Sequence, residues 1–128
     1  MPFLFREWIQ KNKATILLYH NIGPELAEKA WSYLAKKYNI ISLRSLLEKF
    51  KDNSPLPPKT LVITFDDGWK ENYKLLPVIK KLNIPITIFL CAGLVDTYRH
   101  FWFTFRHPEM PGNFLKQLPN KEKIKIKK

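Results

Sequence analysis

The stretch that most constrains this chain is Leu61-Val62-Ile63-Thr64-Phe65, apolar and β-branched almost throughout. Such a run predicts a strand buried on both faces, as when helices cover a parallel sheet. Asp66-Asp67-Gly68 cuts it off, and a second apolar run, Ile84 to Leu90, follows after a segment of helical spacing. That spacing predicts a helix from about Trp69 to Leu82, kinked or shortened in its first turns by Pro77 and stopped at Asn83. Strand, helix and strand in this order make a crossover unit with parallel strands and a right-handed connection. The fold class is therefore α/β.

The residues upstream follow the same grammar. Thr15 to His20 is short, apolar and partly β-branched, and Asn21-Ile22-Gly23-Pro24 reads as a turn, so the segment is a candidate buried strand with His20 at its C-terminal end. From Pro24 to Tyr38, Leu26, Ala30 and Leu34 recur every four positions among Glu and Lys, which predicts an amphipathic helix with Pro24 in its first turn. Asn39 to Ile41 is a short strand candidate. Ser42 is a suitable N-cap for a second helix, Leu43 to about Phe50. Lys51 to Lys59 holds three prolines and reads as a surface loop. Beyond Ala92, Phe101-Trp102-Phe103 is aromatic, Pro108, Pro111 and Gly112 interrupt regular structure, and Leu115 to Lys128 is a candidate last helix.

At 128 residues and 45% hydrophobic content the chain can bury a core, with one domain as the ceiling. A complete barrel of parallel strands and helices typically needs roughly 200 residues or more. The net charge of +11 suits anionic partners in general. Six of the lysines, at 116, 121, 123, 125, 127 and 128, fall in the Lys-rich tail 116–128, which reads as a solvated end rather than a nucleic-acid arm. No nucleic-acid partner is expected. Cys91 is the lone cysteine, so an intrachain disulfide is excluded. Neither a signal peptide nor a membrane-spanning run is visible, which leaves the cytoplasm as the default expectation. The four isolated glycines exclude a Walker loop and a dinucleotide fingerprint.

The chemistry-bearing residues are Asp66 and Asp67. In α/β proteins, catalysts and ligands gather beyond the carboxyl ends of parallel strands. Adjacent carboxylates there repel unless something compensates them; a divalent cation does so, leaving one to bind metal and the other to accept a proton. The competing reading is structural: one aspartate caps the following helix, whose N-terminus favours carboxylates, and the other is solvated. Spacing alone leaves both open. An EF-hand is excluded, because alternating oxygen ligands and a final glutamate are missing. His20 has a bland reading too, as a histidine that satisfies a backbone group at a strand end. Trp69 and Trp102 read as packing residues.

Leu61 to Trp69 resembles the first motif of the NodB-type polysaccharide deacetylases. Ile16-Leu17-Leu18-Tyr19-His20 resembles the strand that opens many members, and Ile84-Pro85-Ile86-Thr87-Ile88-Phe89-Leu90 resembles their next strand. His100-Phe101-Trp102-Phe103 has an aromatic counterpart in one branch. The resemblance is strongest over residues 14–103. It implies the N-terminal portion of a distorted (β/α) barrel of the glycoside hydrolase and deacetylase type, as a single partial domain. It makes Asp67 a metal ligand for a divalent ion such as zinc or cobalt, and Asp66 the general base that takes a proton from water. His20 would join Asp66 in the catalytic cavity. The implied reaction is hydrolysis of N-acetyl groups on a polysaccharide.

The sequence departs from the family pattern in one respect that matters. Members complete the metal site with a His-x-x-x-His pair, and here the remaining histidines, His100 and His107, are seven apart. The expectation is an incomplete barrel in a truncated chain, with metal binding weak or absent and activity impaired. An unfinished sheet also leaves an open edge through which copies can associate. The alternative is a catalytically inactive, basic α/β fragment that at most binds an anionic partner.

Overall fold

Three strands gather around one. In the computed structural model, which describes residues 13–98, 101 and 119, Thr60–Phe65 (β3) pairs in parallel with Ala14–Tyr19 (β1), Asn39–Ile40 (β2) and Ile86–Ile88 (β4). β1 runs along all six residues of β3 and so occupies one edge. The other edge is shared: β2 lies beside Thr60 and Leu61, and β4 beside Ile63 to Phe65. The ladder hydrogen bonds obey this division. The carbonyls of Lys59, Leu61 and Phe65 accept from Asn39, Ile41 and Phe89, while Asp66 N–H donates to Tyr19 on the opposite side.

The helices are Pro24–Lys37 (α1), Leu43–Lys51 (α2) and Leu76–Leu82 (α3). α1 starts with Pro24 in its first turn and ends in Lys36 and Lys37, a basic end that suits the helix dipole. At α2, Ser42 is the N-cap, and its hydroxyl accepts from Ser45 N–H at 3.0 Å. The expected helix from Trp69 to Leu82 is divided: Lys70–Leu75 is a 3-10 helix, and the α-helix begins only at Leu76. Pro77 causes the division, since its ring and missing N–H are tolerated only in a first turn. Asn83 ends α3 in the left-handed conformation at φ 49°.

One face of the sheet carries the main core. Ile63 and Phe65 pack with Ala27 and Trp31 of α1, Leu75, Val78 of α3, and Ile84. Tyr19 completes an aromatic group there, stacked on Phe65 at 5.4 Å and edge-on to Trp31 at 6.3 Å. All six residues of β3 are buried, as its composition predicts. β1 departs from expectation. Ile16 and Leu18, which register opposite Val62 and Thr64, are 55% and 50% exposed. Alternation along a strand sends their side chains away from the α1 face, and among the described residues no strand pairs with the outer edge of β1. β4 is also shorter than the run Ile84 to Leu90 suggests, because Pro85 has no N–H to give a ladder.

By its internal contacts the chain divides into two units, Met1–Leu90 and Cys91–Lys128. In the second, Ala92–Leu94 forms a 3-10 turn, and the Thr97 hydroxyl donates to the Leu94 carbonyl at 2.9 Å. Apart from residue 119, which is exposed and in no regular element, the candidate helix from Leu115 to Lys128 lies outside the described residues.

The core makes an unequal prediction for two residues of α1. Trp31→Ala, at a fully buried position, is expected to cost about 3–5 kcal/mol. Leu26→Ala, at a position 61% exposed, should fall within about 0.5 kcal/mol of the parent in denaturant unfolding.

Candidate functional site

Asp66 and Asp67 follow directly from the end of β3, and their placement is a consequence of the ladder. Asp66 N–H donates to the Tyr19 carbonyl at 2.9 Å, so the tip of β3 is tied to the tip of β1, one residue before His20. Both aspartates are half-buried, whereas His20 is exposed in a bend. The fold thus brings the backbones of all three sequence-predicted site residues to the carboxyl ends of two neighbouring parallel strands. In an open or closed α/β sheet this is where binding groups collect.

The turn beyond β3 is unusual in its backbone. Asp67 and Gly68 are both left-handed, at φ 70° and φ 69°. Glycine adopts that region freely, whereas a residue with a Cβ pays roughly 1–2 kcal/mol, somewhat less for aspartate. Strain of this sort is found at functional sites, where the side chain is needed in a place its backbone disfavours. The 3-10 helix that follows starts at Lys70 with Trp69 as its cap residue and no side-chain cap hydrogen bond.

Among the described residues no three His, Cys, Asp or Glu side chains come close enough to share a metal ion. Asp67 offers a hard carboxylate of the kind that divalent ions take, but a catalytic centre needs about three protein ligands. The residues described do not assemble that set. His100 and His107 lie outside them.

Two residues near the site were not singled out by sequence reasoning. Asn72, two residues into the 3-10 helix, is 4% exposed, and both polar atoms of its amide are buried without a hydrogen-bond partner. Its place in a segment read as a continuous helix hid it; a polar residue on the core side of the divided helix is the signal. Leu90 closes against Gly68: a Cβ built on the glycine would overlap Leu90 Cδ2 and lie 3.6 Å from Leu90 Cα. No sequence pattern marks that contact.

The fold defines the class: an α/β protein built as part of a (β/α) barrel, with the two aspartates at a strand end. The polysaccharide deacetylase family model matches residues 53–123, more than half of the chain, and the chain belongs to that family. The matched segment contains Asp66 and Asp67, and His20 lies before it. The chain is 25% identical over 100 residues to the poly-β-1,6-N-acetyl-D-glucosamine N-deacetylase of Escherichia coli (strain K12), covering 67% of this chain and 15% of that protein. It is 30% identical over 107 residues to YxkH of Bacillus subtilis (strain 168), assigned by inference as a polysaccharide deacetylase, covering 73% of this chain and 38% of the relative. It therefore spans well under half the length of these curated relatives.

Two solved structures share the fold. A de-N-acetylase from Aggregatibacter actinomycetemcomitans superposes with a TM-score of 0.59 at 22% identity, over 78% of this chain and 45% of that one. The BpsB deacetylase domain from Bordetella bronchiseptica superposes with a TM-score of 0.52 at 18% identity, over 92% and 52%. The sheet described above is thus the architecture of a partial NodB-type (β/α) barrel.

Substituting the strained aspartate separates its two readings. If Asp67 is held left-handed for the sake of its carboxylate, Asp67→Gly should raise stability by about 0.5 kcal/mol or more, despite the added chain entropy of glycine. A loss above about 1 kcal/mol in denaturant unfolding would instead mark Asp67 as a structural cap.

Proposed function

We propose that this chain carries the acidic half of a hydrolytic site that removes N-acetyl groups from a polysaccharide. The observation that supports it most is the pair of half-buried carboxylates at the tip of β3, tied by the Asp66 backbone to the strand end that precedes His20. Membership in the polysaccharide deacetylase family supports this choice of substrate class. Asp66 acts as the general base: it takes a proton from water, whose oxygen attacks the acetyl carbon. The carbon–nitrogen bond then breaks, the sugar nitrogen leaves as an amine after gaining a proton, and acetate departs. His20, at the neighbouring strand end, is the second proposed catalytic residue.

Asp67 is the proposed metal ligand, for zinc or cobalt. When bound, such an ion polarises a carbonyl and acidifies water. The described residues do not supply a full ligand set for it, and this observation favours a second reading, in which the chain is a catalytically inactive, basic α/β protein that at most binds an anionic partner.

Acetate release from N-acetylglucosamine oligomers, with purified protein and added zinc or cobalt, decides between them. The first reading expects turnover that is lost in Asp67→Ala and reduced about 10²–10⁴-fold in Asp66→Asn. Absence of turnover together with absence of metal uptake establishes the second.

The outer edge of β1 also belongs to this proposal. Ala14 to Tyr19 holds no charge, proline or bulge to protect an edge, so copies are expected to pair through it. Sedimentation velocity should show a dimer that dissociates on dilution; a monomer at every concentration removes this part.

A further inference from the structure

The turn that presents Asp67 has two consecutive left-handed residues, and something must hold it there. One flank is pinned by backbone, through Asp66 N–H to the Tyr19 carbonyl. On the other flank Phe89 N–H donates to the Phe65 carbonyl at 2.8 Å, which carries the chain leaving β4 up beside the turn. The next residue is Leu90. Its Cδ2 fills the space where a side chain on Gly68 would begin, and its Cγ and Cα both lie 3.6 Å from that point. The rest of the leucine gains little from burial, being 62% exposed. A large apolar side chain left open to solvent on most of its surface is thus seated against the one glycine of a strained turn.

We infer that Leu90 is a positioning residue: it clamps Gly68 and so fixes the left-handed pair that presents the Asp67 carboxylate. The inference rests on the reading of Asp67 as a functional group. Gly68 meets two independent requirements in this arrangement, the positive φ and the approach of Leu90. Substitutions can therefore separate them.

A cycle of Gly68→Ala, Leu90→Ala and the double variant tests the clamp, with thermal unfolding and cobalt(II) uptake by calorimetry as the two readouts. Gly68→Ala should lower Tm by at least about 4 °C, from overlap and backbone strain together. The double variant should recover part of that loss, because the overlap is gone and the strain alone remains. Leu90→Ala by itself should leave Tm within about 2 °C of the parent, given the exposure of the side chain. It should nevertheless weaken cobalt binding fivefold or more, and Leu90→Met should restore most of the affinity. A purely structural leucine would not move metal affinity at constant Tm. The clamp is overturned if the double variant is no more stable than Gly68→Ala, or if Leu90→Ala binds cobalt as the parent does. Should the parent take up no cobalt, the metal reading of Asp67 fails by itself. The clamp is then decided by the recovery of Tm, together with the amide resonances of Asp67 and Gly68, which shift in Leu90→Ala if it holds and stay in place if it does not.

Discussion

The hydrogen-bond ladder of β3 is the constraint from which the rest of the structure follows. A strand has two edges, and this one serves three partners by dividing the second edge lengthwise between β2 and β4. A parallel ladder points alternate residues to opposite edges. The odd-numbered carbonyls of β3 therefore bond toward β2 and β4, and the even-numbered Asp66 N–H bonds toward β1. Buried backbone groups that went unpaired would cost about 1–3 kcal/mol each, so an apolar strand in this position is stable only with both edges filled. The same geometry fixes which way the chain leaves. Asp66 departs beside β1 and Leu90 departs beside Asp66, because β1 and β4 both run alongside the last residues of β3.

Much of this was legible in the sequence. Ser42 was readable as an N-cap and Asn83 as a stop, since both act through local hydrogen bonding and backbone preference. Pro77 announced a break in its helix, although not that the residues before it would tighten into a 3-10 helix. The two aspartates were visible as a pair at a strand end. What the sequence hid depends on distant partners. The half-exposure of Ile16 and Leu18 reflects which face α1 covers, and a hydrophobic run looks the same whether one face is buried or two. The contact of Leu90 with Gly68 joins residues 22 positions apart through strand pairing, and no periodicity encodes it.

The site shows the same boundary between local and distant information. An acidic pair at a strand tip is a local pattern, visible in the sequence. A metal centre is a long-range property, because its ligands converge from separate segments. Among the described residues no three His, Cys, Asp or Glu side chains converge in this way. Sequence can propose the role of each aspartate, but the number of donors around them is set by the tertiary fold.

The order of residues in the turn carries its own argument. Stability alone would place glycine at both left-handed positions, since glycine meets no steric resistance there. The chain has glycine at only one of them, where a Cβ would overlap the Leu90 side chain unless that side chain turned aside. At the other it retains a carboxylate against the backbone preference. The cap position of the following 3-10 helix belongs to Trp69. Strain kept at one residue beside a glycine is compatible with the proposed reading, in which a side chain is presented in a fixed direction. On the proposed reading of Asp67, the turn serves to present its carboxylate.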